Sequence, residues 1–572
     1  MKLVRINTRK NKIKTQEIEK DTPYYLLGAR GLTSTLVFEE VPPKCDPLGK
    51  DNKLIISNGL LTGSPFPNSG RTSVGGKSPL TSGIKEANVG GRGAMMLAQH
   101  GIRALVLEEC ADTWKIIIID EKGIHIEDGV DYVGLGNYDL HSNLYERFGK
   151  RIAIYSIGLA GEHKMKASTI AANDLQGYPS RHAARGGLGA VMGSKKIKAI
   201  IIKPSKKSQV EMNDIKKFRE ISKPLAKTLA TSKETFSIFG TPLMVHAMSE
   251  YGGLPTESFR KGSYEHADKI SGEKLHELIM ERSGKNRLAC SPTCVIRCSN
   301  LVKNEKGEHI TSSLEYETMA MNGSNLLIDD LDVLAQIDHN CDNLGIDTIE
   351  FGCTMGVAMD AGKIQWGNEE QVFEIMEEIK KGSERGHLYG NGVCHLADEI
   401  NFERIPQVKG QGMSAYDPRV FKGMGVTFAT SPMGADHTAG AAIAGRSARS
   451  GKDYGDLNEN KGKLELSYEL QIYTTVLDSM GCCYFIGPSY ETMKIVADAL
   501  NAMYDVQLTR KDVINIGRDI LKKEILFNTK AGISEDTNDL PRFFREESSD
   551  PVNLKVDLPS EDFKTFWERL KK

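Results

Sequence analysis

The sequence predicts an α+β protein: an N-terminal β-rich domain over residues 1–205, followed by two mainly α-helical domains over 206–415 and 416–572. Three observations carry this. Apolar, β-branched runs of strand length crowd the first third of the chain. From about residue 206 the apolar spacing becomes helical, with capping residues at the starts. And 572 residues are more than one core ordinarily supports, so the chain divides.

Taken in order, 103–109 reads as a strand, and 114–120 with 123–128 as a hairpin turning at D-E-K-G. Residues 151–157 and 197–203 are two further apolar runs. Glycine-rich stretches at 61–91 and 186–193 read as loops between them. A helix is expected over 213–229, capped by Asn213 or Asp214. Helical character continues over 326–362 and 369–385. Residues 406–416 make a Gly/Pro-containing crossing, and 464–480 and 490–504 are the clearest helices of the last third.

Composition narrows the function. With 40% hydrophobic and 26% charged residues the chain is too apolar to be disordered. A formal net charge of -2 gives nucleic acid or an anionic membrane no electrostatic handle. The start, M-K-L-V-R-I-N-T-R-K, is basic but lacks the apolar stretch of a secretory signal. No run approaches the roughly 18 apolar residues that span a bilayer. Ten cysteines in so long a chain make no disulfide framework. Their grouping fits a reducing cytosol in which thiols are kept for metal, so a cytoplasmic location is expected.

The densest group is L-A-C-S-P-T-C-V-I-R-C-S-N, with Cys290, Cys294 and Cys298 each separated by three residues. A fourth thiol stands far downstream in D-S-M-G-C-C, at Cys483 or Cys482. Three clustered thiols and one distant one suit a [4Fe–4S] cluster, since soft thiolates bind iron and a cubane has four corners. A structural zinc site, or buried free cysteines, is the competing interpretation.

Two glycine-rich segments carry arginines. G-R-T-S-V-G-G-K-S-P-L-T-S-G-I-K-E-A-N-V-G-G begins at Gly70: Arg71 suits a phosphate, and Asn88 offers an oxygen to a hard cation such as Mg²⁺. P-S-R-H-A-A-R-G-G-L-G-A-V-M-G-S-K supplies Arg181 and Arg185. Together they point to one extended anionic cofactor gripped from two sides. Beyond the cysteines come E-Y-E-T (Glu315–Thr318) and D-N-L-G-I-D, whose Asp342 and Asp347 flank a sharp turn. Asp478 in D-S-M-G-C-C is a third carboxylate of this kind. His437 sits in G-A-D-H-T-A-G, a setting open enough for proton transfer.

These motifs, in this order, resemble the aldehyde:ferredoxin oxidoreductase family of tungsten-dependent bis-pyranopterin enzymes. The resemblance runs from about Gly28 to the C-terminal helices, through K-S-P-L-T…N-V-G-G, R-G-G-L-G-A-V-M-G-S-K-K-I-K-A-I, E-Y-E-T, D-N-L-G-I-D and D-S-M-G-C-C. It implies that Cys290, Cys294, Cys298 and Cys483 hold the [4Fe–4S] cluster. Arg71 and Asn88 would serve the first pterin's phosphate and Mg²⁺. Arg181, His182 (through its carbonyl) and Arg185 would serve the second phosphate. Asp342, Asp347 and Asp478 would accept hydrogen bonds from the pterin rings. Glu317 and His437 would be the catalytic proton-transfer groups, with Glu315 next in line after Glu317.

The expected reaction is oxidation of an aldehyde to a carboxylic acid at a tungsten or molybdenum bis-pyranopterin, with electrons passing to ferredoxin or an iron–sulfur subunit. The alternative is the catalytic subunit of a larger reductase acting on another substrate, such as an aromatic thioester. A third reading is a non-catalytic iron–sulfur or zinc protein. Some positions depart from the family. Three residues rather than two separate Cys290 from Cys294. The Glu-x-x-His that can bind a dimer-bridging iron reads Gln336-Ile-Asp-His339, so no such iron is expected and oligomeric state stays open. Ala439 replaces a basic residue two beyond His437, as in the bacterial branch. Cys353, six residues past Asp347, is expected to be a buried core cysteine.

Overall fold

In the computed structural model, which describes residues 1–443 and 452–570, two six-stranded sheets fill the first two hundred residues and helices dominate the rest. The first sheet contains β1 (Lys2–Asn7), β2 (Lys12–Glu17), β3 (Leu54–Asn58), β4 (Thr72–Lys77), β5 (Ile84–Val89) and β6 (Ile102–Glu108). Their order is β2-β1-β6-β3-β4-β5. The second contains β7 (Lys115–Asp120), β8 (Gly123–Asp128), β9 (Ala153–Ser156), β10 (Ile170–Ala172), β11 (Arg181–Ala183) and β12 (Ile197–Ile202). Its order is β11-β10-β9-β12-β7-β8. Within these two sheets only β1–β6 and β12–β7 pair in parallel.

Period-two patterning stacks these sheets face to face. On β6, Leu105 and Leu107 enter a core shared with Ile117, Ile119, Ile200 and Ile202 of the second sheet. The intervening Ala104 and Val106 point the other way, to Leu32 and Leu36 of the Ala29–Glu40 helix. On β12, Ala199 and Ile201 likewise face Leu140 and Leu144 of the Asn137–Phe148 helix. The result is helix, sheet, sheet, helix.

Both loop expectations are corrected, since 188–193 of the second stretch lies in the Leu188–Ser194 helix. Much of the glycine-rich stretch 61–91 is the β4–β5 hairpin rather than loop. Its glycines serve packing: a Cβ on Gly75 would lie 2.5 Å from Thr33 Cβ, and one on Gly76 2.7 Å from the Lys53 carbonyl. Arg181 stands on β11, and Arg185 in the turn that follows it.

The helical part begins as expected, with Ile215–Ser232 capped by Asp214 rather than Asn213. The 326–362 stretch breaks into Leu331–Leu344 and Thr348–Asp360 at Gly345, whose φ is +70°. A small sheet of Lys285–Leu288, Ser299–Lys303 and His309–Ser312 brackets the cysteine loop. One continuous core includes residues on both sides of 415. The Lys463–Met480 and Arg510–Ala531 helices pack against Ala29–Glu40, which brings the C-terminal third onto the N-terminal sheet. Among the described residues no helix is long and apolar enough to cross a membrane.

Candidate active site

The cysteine loop is tied to the end of β3 and the approach to β4. The Asn68 amide donates to the Thr293 carbonyl at 2.8 Å, and the Asn68 side chain accepts from Val295 N at 3.0 Å. Asn68 also accepts at its carbonyl from Cys483 N at 2.9 Å. One asparagine therefore joins both cysteine segments. The additional residue between Cys290 and Cys294 is taken up in a turn, with Cys294 N donating to Ser291 O at 3.1 Å.

Arg71 lies among the thiols, its Nη1 4.0 Å from Cys290 Sγ. Burial works against its charge, but Cys483, Cys290, Asp478 and Cys298 around it hold its pKa above the usual value. The Cys290 thiol is held well below its usual range, by a hydrogen bond from Cys294 first and by Arg71 and Arg181 beyond it. The same hydrogen bond and burial push Cys294 up, and burial pushes up Cys298 and Cys483. Cys482 is fully buried, and burial, with Cys483 and Asp478 beside it, pushes its thiol up. Among the described residues no three His, Cys, Asp or Glu side chains close on a single metal ion.

The three aspartates of interest each meet a basic side chain from the N-terminal part. Asp342 Oδ1 lies 2.9 Å from His182 Nε2. Asp347 Oδ1 caps the Thr348–Asp360 helix at Ile349 N, while Oδ2 accepts from Arg185 Nε at 3.1 Å. Asp478 Oδ2 accepts from Arg30 Nη1 at 3.1 Å. Arg30 is itself held by Glu524 of the Arg510–Ala531 helix through two hydrogen bonds, at 2.9 and 3.0 Å.

Arg185 and Arg181 diverge. Besides Asp347, Arg185 donates to the carbonyls of Ala435 and Gly412, each at 2.5 Å, so each of its three nitrogens is bonded to protein. Arg181 donates to Ser313 at 2.5 Å and to Ser299, on the cysteine side. Arg71 Nε donates to Asn88 Oδ1, which joins β4 to β5 beside the thiols.

E-Y-E-T opens the Tyr316–Asn322 helix. Glu315 turns toward the thiols, accepting from Ser313 and Thr241. Glu317 turns the other way: its Oε2 accepts from Ala415 N at 2.9 Å, and its Oε1 is 3.4 Å from His437 Nε2. The His437 loop is anchored from the N-terminal sheet. Buried Lys85 on β5 reaches Asp436 Oδ2 at 3.3 Å, and Asp436 caps the following turn at Thr438 N. Burial and then Lys85 act on Asp436, and the net effect holds its carboxyl well below the usual range. Cys353 is buried and donates its thiol to Met413 O at 3.1 Å.

Buried polar atoms without a hydrogen-bond partner collect in this region. They include Glu86 Oε1, Asn88 Nδ2, Arg181 Nε, Glu317 Oε1, Asp342 Oδ2 and His437 Nδ1. Folded proteins pair nearly all such atoms, so a cluster of exceptions marks where a ligand's polar groups belong. The donor set fits a large, polar, anionic cofactor: amide and guanidinium donors, and carboxylates free to accept. Burial, and then Asp478, push Glu86 up to about 8; burial pushes Asp478 up to about 6.

Models of known families align with the same residues. "Aldehyde ferredoxin oxidoreductase, N-terminal domain" matches 3–204, and "Aldehyde ferredoxin oxidoreductase, domains 2 & 3" matches 218–568. The chain belongs to the aldehyde ferredoxin oxidoreductase family. It is therefore a member of a family of oxidoreductase enzymes. A tungsten-containing aldehyde ferredoxin oxidoreductase of Pyrococcus furiosus is 33% identical over 574 residues, covering 96% of this chain and 91% of that protein. One from Thermococcus kodakarensis is 32% identical over 572 residues, with the same coverage. An aliphatic sulfonate oxidoreductase, WOR-like subunit, of Pyrococcus furiosus is 25% identical over 611 residues, covering 97% and 91%. In fold the chain is like one in the active site complex BamBC of benzoyl coenzyme A reductase with 1,5 dienoyl-CoA. The TM-score is 0.82 at 16% identity, over 100% of this chain and 94% of that one.

In this family member the sequence expectation passed over Arg30, Lys85, Glu86 and Asp436. Arg30 had a signal of the kind that marked Arg71, an arginine among glycines in G-A-R-G. Lys85 and Glu86 stand in the same glycine-rich segment as Arg71, and Asp436 beside His437, but the Lys85–Asp436 pairing joins positions remote in sequence.

Proposed function

We propose that this chain is a tungsten- or molybdenum-pyranopterin oxidoreductase with a [4Fe–4S] cluster, which oxidises an aldehyde to a carboxylic acid. The observation that carries this is the coexistence, in one buried region, of three thiols around Arg71, with Cys294 beside Cys290, and an incompletely bonded Glu317–His437 pair. Cys290, Cys294, Cys298 and Cys483 would hold the cluster. Arg71 and Arg181 would meet phosphates, Asn88 and the His182 carbonyl would serve Mg²⁺, and Asp342 and Asp478 would accept from pterin N–H groups. Arg185, with each of its three nitrogens bonded to protein, would position Asp347 and the His437 loop rather than grip phosphate. Such a cofactor supplies a two-electron acceptor.

The protein's own groups would manage the protons. Oxidation of an aldehyde consumes one water and releases two protons and two electrons. The Ala415 amide fixes Glu317 through Oε2, which leaves Oε1 to take a proton from water at the substrate carbon. His437 Nε2, 3.4 Å away, is placed to receive that proton and pass it outward. Electrons would leave singly through the cluster to a ferredoxin or an iron–sulfur partner.

A second reading keeps the cofactor in a catalytic subunit of a larger enzyme. The relative named as a WOR-like subunit favours it, and copurification of an iron–sulfur protein would distinguish it. The deciding experiment is elemental analysis with pterin fluorescence on anaerobically purified protein. The expected content is about one tungsten or molybdenum, about four irons and about two pterins per chain. Zinc without pterin would overturn the proposal.

A further inference from the structure

The Glu234–Phe239 helix buries none of its residues, although it rests on the cysteine loop. Ser237 Oγ donates to the Arg297 carbonyl at 3.5 Å. Where this helix ends, at Gly240, a Cβ would come within 3.1 Å of the Cys298 carbonyl. Its partly exposed Phe236 packs on Phe485, two residues beyond Cys483, with ring centroids 5.4 Å apart. On the loop itself, the Arg297 amide donates to Cys294 Sγ at 3.3 Å while its side chain is exposed. One of the four thiols is therefore one hydrogen bond from a residue whose side chain reaches the surface, and a second, Cys483, is two positions along the chain from another.

That surface is apolar at its centre and cationic at its rim. Partly exposed Phe236 and Phe485, in ring contact, form the centre, with partly exposed Phe239 three positions along on the same helix. Lys233 and Arg297 stand at its edge, with Lys285 and Arg287 on the adjoining Lys285–Leu288 strand. Glu234, on the helix, is paired with Arg287 at 3.7 Å. On a chain of formal net charge -2, such a rim selects an acidic partner.

We propose that this face docks an acidic iron–sulfur electron carrier, and that electrons leave the cluster here. The inference rests on the cluster assignment made above. Each aldehyde oxidised releases two electrons, so two oxidised carriers dock in turn and each takes one. An aromatic and apolar centre supplies close packing, and the charged rim supplies encounter rate and orientation.

The test uses anaerobic holoenzyme, with an acidic two-cluster ferredoxin as the probe and benzyl viologen as an acceptor that needs no docking. Reversing the rim in a Lys285→Glu, Arg287→Glu variant is expected to raise KM for the ferredoxin about tenfold and to flatten its dependence on ionic strength. Turnover with benzyl viologen and cluster absorbance should stay at the wild-type level, and Arg287→Lys should retain the wild-type KM. Carbodiimide cross-linking of the unmutated pair should join the ferredoxin's carboxylates to Lys233 or Lys285. A cluster-bearing enzyme whose ferredoxin KM and salt dependence survive the reversal, or whose cross-links fall elsewhere, overturns the docking face alone. A wild-type protein without cluster absorbance overturns the cluster assignment and this proposal with it.

Discussion

Glu317 divides its two oxygens between structure and chemistry. One is spent on the Ala415 amide at 2.9 Å; the other has no hydrogen bond and faces His437 at 3.4 Å. Glu317→Gln keeps the shape and the Ala415 contact but removes the base. It should lower kcat about a hundredfold or more, with metal, iron and pterin content unchanged. Normal turnover in that variant would remove Glu317 from the mechanism. Cys298→Ser addresses the other half of the site: it should bleach the visible cluster absorbance while far-ultraviolet circular dichroism stays native. An unchanged cluster spectrum would sink that assignment. The motif residues were legible because they occur in an order that resembles one family. Arg30 and Lys85 were not singled out, since a lone basic residue ordinarily reads as a solvated one. Their buried partners, Glu524 and Asp436, are on other elements hundreds of positions away.

At the scale of elements, the site is a seam held by close backbone approach. The end of β3 meets the turn after the Lys463–Met480 helix, where Leu60 N and Leu61 N donate to the carbonyls of Ser479 and Met480, each at 3.2 Å. Gly59 sits at the tightest point: a Cβ there would be 2.0 Å from Gly481 N and 2.2 Å from Met480 O. Both are backbone atoms, so no side chain can swing away. Gly59→Ala should force the strand and helix apart, cost about 3 kcal/mol or more, and loosen Cys483 and Asp478 together. Urea unfolding of the variant checks the first consequence and iron retention the second. The strands built on β-branched runs were legible from pattern alone. The β4–β5 hairpin was not, because glycine ordinarily weakens a strand. Here the missing Cβ atoms are what let Thr33 and the Lys53 carbonyl lie against it. Asp347 illustrates the reverse case: a carboxylate expected at a ligand is also an ordinary helix cap.

At the scale of the whole molecule, folding buries cations that lack a facing acid, and this gives stability a pH signature. Lys409 donates to the carbonyls of Ala429 and Ser431, at 2.8 and 3.0 Å, at the end of the Lys422–Thr430 helix. Those carbonyls favour a cation, but burial prevails and pushes the Lys409 ammonium down to about 7. In the unfolded chain it titrates near the ordinary lysine value of about 10.4. Between those two values the unfolded chain holds a proton on Lys409 that the folded chain has released. Raising the pH therefore favours the folded state across that window. Below about pH 7 both states are protonated, and the full penalty of burying the charge applies. Lys195 acts in the same sense, since burial pushes it down to about 8. Glu86 acts in the opposite sense and at lower pH, because a carboxyl raised to about 8 stabilises the folded state only while it keeps its proton. Subtracting one variant from the wild type isolates the lysine. Lys409→Met should abolish a rise of a few kcal/mol in unfolding free energy between about pH 7 and pH 10. It should leave the decline contributed by Glu86 below that range in place. Urea titrations of both proteins, stripped of metal and run across that range, measure the difference directly. Parallel pH curves for the two proteins would mean that Lys409 stays charged in the fold, with the helix-end carbonyls outweighing its burial.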